Sequence, residues 1–152
     1  MKPLTICKIS EEEIVLDDIL RELTSKTTGA VVFFTGIVRG ETERNDPRET
    51  RYLEYEAYQS MAEQKMQLIS DDIRNKWNTV QSIIMIQKIG KLLPGNIAVV
   101  IACSAPHRDT GVFEAARYGI DRLKEIVPVW KKEVGTNGEA WVEGDFIPPT
   151  GE

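Results

Sequence analysis

Histidine is nearly absent from this sequence and cysteine is scarce: His107 stands alone, and the only cysteines are Cys7 and Cys103. The cysteines lie far apart and form no paired motif, which argues against structural zinc. No apolar run approaches the roughly 20 residues that a membrane span needs. The start, MKPLTICKISEEE, has no stretch long enough for a signal peptide, so a cytoplasmic protein is expected. A basic excess is missing too. The formal net charge is −5, whereas nucleic acid and anionic membranes reward a positive surface, so neither is expected as a partner. Any anion site must be local. There is no repeat, low-complexity tract, Gly/Ser-rich linker or P-loop, and a single domain over residues 1–152 is expected.

The chain does have enough hydrophobic content, 41%, to bury a real core. PLTICKI, residues 3–9, reads as a short strand, and Leu16, Ile19, Leu20 and Leu23 then recur at helical spacing. GAVVFFTGIVR, residues 29–39, has the β-branched and aromatic character of a strand buried on both faces. In residues 40–50, GETERNDPRET, six of eleven residues are charged, which predicts a solvated, mobile loop. Leu53, Tyr55 and Ala57 alternate with Glu54, Glu56 and Tyr58, the period of a half-buried strand.

Ser60 and Glu63 form a capping box, and Ala62, Met66, Ile69, Ile73 and Trp77 trace one face of a helix. SIIMIQKIG and NIAVVIACSA read as strands joined by a turn at KLLPGN. Phe113, Ala116, Ile120, Leu123 and Val127 mark a third amphipathic helix. Pro128 should end it near Ile126 and open the strand PVWKKEV, followed by a GTNG turn and EAWVEG. Three helices among roughly seven strands indicate an α+β domain.

The cations raise the functional question. Glu114, Arg117, Asp121 and Lys124 lie opposite the apolar stripe of the third helix, as an ion-paired exposed face would. Past Pro128, alternation puts Trp130, Lys132 and Val134 on one face and Val129, Lys131 and Glu133 on the other. A helix end and the strand leaving it can bring Lys124 and Lys131 to one cleft. His107 and Arg108 stand between a strand and a helix N-terminus, where donors can meet a phosphate, and Arg39 ends a strand. Cys103, in an apolar strand, reads as a buried small hydrophobe.

With FTGIVRG, LEYEAY, IGKLLPG, SAPHRDTGVFEA, IDRLKEIVPVWKKE and WVEG in order, the sequence resembles the large, catalytic subunit of molybdopterin synthase, from about residue 3 to 143. The resemblance implies an α/β hammerhead fold with an additional antiparallel β subdomain. It also implies a homodimer carrying a small ubiquitin-like sulfur-carrier subunit at each end, a heterotetramer in all. The carrier's thiocarboxylated Gly-Gly tail would supply sulfur to cyclic pyranopterin monophosphate (precursor Z), and two transfers would build the dithiolene of molybdopterin. Catalytic lysines would then be Lys124 and Lys131. Substrate contacts would come from Ile37, Val38, Arg39, His107, Arg108, Lys132 and Glu133. Neither cysteine is needed as donor, and no metal, ATP or other cofactor is implied. Two rival readings remain open on the residues alone: a non-catalytic module docking a ubiquitin-like protein, and a regulatory domain binding a phosphorylated ligand.

Overall fold

In the computed structural model, which describes residues 3–42, 48–135 and 138–141, the most apolar segments gather into one sheet. Its centre is β5 (Ile83–Lys88) and β7 (Ile97–Ala105), and its edges are β1 (Thr5–Ser10) and β2 (Ala30–Ile37), in the order β1-β5-β7-β2. β1 runs parallel to β5, and the other pairings are antiparallel. Alternation sends Ile83, Met85, Ile101 and Cys103 to one face and Ile84, Ile86, Val100 and Ala102 to the other. Helices α2 (Gln59–Lys76) and α3 (Val112–Ile126) cover the first face with Met66, Ile69, Ile73, Ala116 and Leu123. Helix α1 (Leu16–Leu23) covers the second with Ile19 and Leu23.

A second, antiparallel sheet is built around β4 (Arg48–Ala57). It pairs with β3 (Glu41–Thr42), β6 (Gly90–Leu92) and β8 (Val129–Gly135), and β9 (Gly138–Trp141) adds to β8. Val38, Leu53, Tyr55, Leu92 and Ala98 form a third cluster that joins this sheet to the end of the first. Among the described residues, two sheets and three helices make the α+β architecture expected, with the antiparallel subdomain present.

Several local expectations change. β2 is not buried on both faces: it is an edge strand, and Phe34 and Ile37 are exposed, because the eight-residue α1 packs over β5 and β7. The charged segment 40–50 is partly ordered into the second sheet. Glu41 pairs with Glu49 and Thr42 with Arg48, and the Thr50 amide donates to the Gly40 carbonyl at 2.8 Å. Residues 43–47 lie outside the described residues, as do 136–137 of the expected GTNG turn and everything after Trp141. SIIMIQKIG breaks at Ile89 into β5 and β6, which belong to different sheets. The turn that follows is Leu93-Pro94-Gly95-Asn96, with Gly95 at φ 91 and the Asn96 amide donating to the Leu93 carbonyl at 3.0 Å, a type II turn.

Ser60 does not cap α2. The helix begins at Gln59 after Tyr58, and Glu63 instead accepts the Ile9 amide at 2.9 Å, tying α2 to β1. Phe113 and Leu20 are exposed rather than on the buried stripes; the inner face of α3 is Val112, Ala115, Ala116, Gly119, Ile120 and Leu123. α3 ends at Ile126, where Pro128 predicts. Among the described residues, no helix is long and apolar enough to cross a membrane.

Candidate active site

The pairing of β8 with β4 sorts the cations. Residues opposite one another in an antiparallel ladder share a face. Lys131 opposes Tyr55, Glu133 opposes Leu53 and Val129 opposes Ala57, so these look toward the cluster around Leu53 and Tyr55. The Lys131 Nζ stands 5.9 Å from the centre of the Tyr55 ring, within cation–π reach. Burial pushes the Tyr55 hydroxyl above its usual pKa. On the other face Lys132 opposes Glu54, and its Nζ lies 3.1 Å from Glu54 Oε2; Trp130 Nε1 donates to Glu56 Oε2 at 3.2 Å. The alternation expected of this strand is therefore present, and it separates Lys132 from Lys131.

Lys124 sits in the last turn of α3, half-buried. That helix starts just past β7 and runs back over β2 and β7, with Gly119 so tight on Ile101 that a Cβ would come within 2.9 Å of its Cγ2. Its last turn thus returns to the end of the sheet where β7 begins and β2 finishes, since Ile37 pairs with Ile97. Ile37 and Arg39 are exposed there, and Val38 is buried among Leu53 and Tyr55. One end of the molecule accordingly gathers Ile37, Val38, Arg39, Lys124, Lys131 and Glu133.

His107 and Arg108 belong to the other end. They follow Ala105, which pairs with Ala30, and both are exposed. Ala105 lies eight residue steps along β7 from Ile97, about 26 Å at ~3.3 Å per step. From Val112 to Lys124 the helix rises about 18 Å along its axis. A single copy of the chain does not bring His107 and Arg108 to Arg39 and Lys131.

Sequence reasoning missed Thr50. It is buried, and its Oγ1 donates to Glu133 Oε1 at 2.5 Å. It was hidden inside a segment read as loop. Tyr55 was visible as an inward residue in the alternation of LEYEAY, but its place beneath Lys131 required the β4–β8 register.

The cysteines are poor nucleophiles here. Cys103 is fully buried and its thiol is pushed up to about 12. Burial raises the Cys7 thiol too, and its Sγ lies 3.2 Å from Ser70 Oγ. Cys7 borders a wide, open, polar groove of about 610 Å³ along α2, lined by Gln59, Ser60, Glu63, Gln64 and Gln67 and by none of the candidate residues. Among the described residues, no three His, Cys, Asp or Glu side chains are grouped to hold a metal ion.

The family model for MoaE protein matches residues 9–126. The chain belongs to the MoaE family. It is 42% identical over 142 residues to a molybdopterin synthase catalytic subunit of Halalkalibacterium halodurans, spanning 93% of this chain and 87% of that one. A protein of the same description from Staphylococcus aureus is 47% identical over 135 residues, 85% of this chain and 87% of the relative. The crystal structure of molybdopterin synthase from Staphylococcus aureus superposes with a TM-score of 0.82 at 42% identity, covering 90% of this chain and 96% of that one. This MoaE chain therefore matches these relatives over most of their length.

Proposed function

We infer that the protein acts as the catalytic subunit of a molybdopterin synthase. It is a sulfurtransferase of molybdenum cofactor biosynthesis, moving sulfur from the thiocarboxylated C-terminus of a small ubiquitin-like carrier subunit to cyclic pyranopterin monophosphate and forming the dithiolene. The observation that carries this is identity above 40% with catalytic subunits so described over most of both chains.

The roles of individual residues are our proposal. Lys124 and Lys131, at one end of the molecule, neutralise the thiocarboxylate and shuttle protons during attack on the pterin side chain. Tyr55 beneath Lys131 supports the amine electrostatically. Arg39, His107 and Arg108 hold the phosphate, and Ile37, Val38 and Glu133 shape the pocket beside them. Lys132, turned to the other face beside Glu54, is the assignment the geometry favours least. Because His107 and Arg108 stand at the far end from Arg39, a pocket using all of them takes residues from two copies of the chain. That requirement supports a homodimer, with one carrier at each end of the resulting heterotetramer. Each chain works as one domain, in the cytoplasm.

Mixing the protein with thiocarboxylated carrier and precursor Z tests the reading through formation of molybdopterin. Product is expected from the natural chain. Lys124→Ala or Lys131→Ala lowers turnover about 100-fold or more with an unchanged circular dichroism spectrum. Carrier binding without product would instead make the chain a docking module, and binding of a phosphorylated ligand with no carrier would make it a regulatory domain. Near-normal turnover by both variants removes the lysines from the mechanism.

A further inference from the structure

Resting on the function just given, we propose that Thr50 is a positioning residue that sets the carboxylate of Glu133 and, through the same backbone, the turn carrying Arg39. Three observations converge on it. The side-chain hydroxyl donates to Glu133 Oε1 at 2.5 Å, with both residues buried. The Thr50 amide donates to the Gly40 carbonyl at 2.8 Å, one residue beyond Arg39. The β4–β8 register shifts between Thr50 and Tyr52, so that Thr50 opposes Gly135 while Tyr52 opposes Val134.

The register shift explains how Thr50 reaches the site. Strict alternation back from Tyr55 and Leu53 would turn residue 50 to the face of Glu54 and Lys132. Arg51 is an extra residue, a β-bulge, and it changes the phase of the strand. Thr50 therefore shares the face of Gly135, Glu133 and Lys131. Bulges commonly serve to re-aim a side chain in this way.

The hydroxyl also meets a physical need. A carboxylate with only 8% of its residue's surface exposed needs donors to stay where it is, and the hydroxyl is a donor fixed by a strand rather than by a flexible stem. A charge-assisted hydrogen bond of this kind restricts the rotamers of Glu133. Glu133 is two residues from Lys131 on the same face, so its orientation bears on the environment of the amine. Loss of the hydroxyl would free the carboxylate to turn, and the bound substrate would meet it in more than one position.

The test compares Thr50→Val, which keeps the shape and removes the donor, with Thr50→Ser, which keeps the donor. Steady-state formation of molybdopterin from thiocarboxylated carrier and precursor Z is measured for each, and for Glu133→Gln alone and combined with Thr50→Val. Thr50→Val is expected to lower kcat/KM by about tenfold or more, and Thr50→Ser to restore it to within about threefold of the natural chain. The double variant is expected to be no slower than Glu133→Gln, because the hydroxyl acts through that carboxylate. Losses that multiply in the double variant would overturn the proposal, as would normal turnover by Thr50→Val or failure of Thr50→Ser to rescue. If the natural chain forms no product under these conditions, the function itself fails, a result distinct from any pattern among the variants.

Discussion

Replacing Gly111 by alanine should damage the protein in a way whose size can be worked from two contacts. Gly111 precedes α3 at φ 113, where an L side chain is strained by roughly 1–2 kcal/mol. A Cβ there would also stand 2.2 Å from Trp77 Cδ1. Trp77 cannot simply retreat. Its amide closes α2 on the Ile73 carbonyl at 2.8 Å, and its ring meets Tyr118 of α3 edge-on at 5.8 Å. Forcing an atom into such a contact costs about 1–3 kcal/mol. The combined loss of ~2–5 kcal/mol lowers Tm by roughly 5–20 °C in a chain of this size. Gly95→Ala is the control, because Gly95 has a similar positive φ with open space around it. It loses only the backbone part, about 2–8 °C. Thermal unfolding of both variants by circular dichroism, with indole fluorescence in parallel, makes the comparison. Equal losses at the two glycines would refute the claim that Trp77 is pinned.

Two further outcomes follow from the burial and pairing of charged groups. The Cys103 thiol, pushed from 9.0 to about 12, keeps its proton in the folded state at pH values where the unfolded chain has released it. Stability therefore falls as pH rises above about 9, by up to about 1.4 kcal/mol per pH unit from this one group. Unfolding free energies between pH 8.5 and 11, about the range of this titration, should decline less steeply in Cys103→Ala; an identical slope would remove the thiol from the account. The Lys132–Glu54 pair is partly exposed, at 21% and 37% of the side-chain surface. Lys132→Ala or Glu54→Ala should change the urea midpoint by less than about 1 kcal/mol equivalent, and a larger, coupled loss in a double-mutant cycle would show the pair to be a structural anchor.

Much of the fold could be read from residue patterns, and the failures share a cause. Alternation in LEYEAY put Leu53, Tyr55 and Ala57 on one face of their strand, and alternation in PVWKKEV put Val129, Lys131 and Glu133 on one face of theirs, because two-residue periodicity is local and survives folding; that the two faces coincide needed the β4–β8 register. The end of α3 was legible because Pro128 acts on the residue before it. What escaped was decided by partners distant in sequence. GAVVFFTG looks fully buried, yet β2 lies at the edge of its sheet, a fact of strand order and not of composition. Glu63 left its expected cap for the Ile9 amide, 54 residues away. Thr50 sat in a segment too charged to read as strand, and its facing depended on a bulge whose position no alternation rule supplies. The candidate lysines were named by resemblance; the geometry adds that Lys124, Lys131 and Arg39 occupy one end of the molecule and His107 and Arg108 the other.

That division between the ends of β7 has a genetic meaning. If pockets form across a pair of chains, a chain damaged at Arg108 and a chain damaged at Lys124 are defective in different halves of the same pocket. Paired with each other, they assemble one pocket with both lesions and one with neither. Two alleles that are each null alone would then complement in the same cell: each mixed pair keeps about half the activity of an intact pair, and random pairing of equal amounts recovers about a quarter overall.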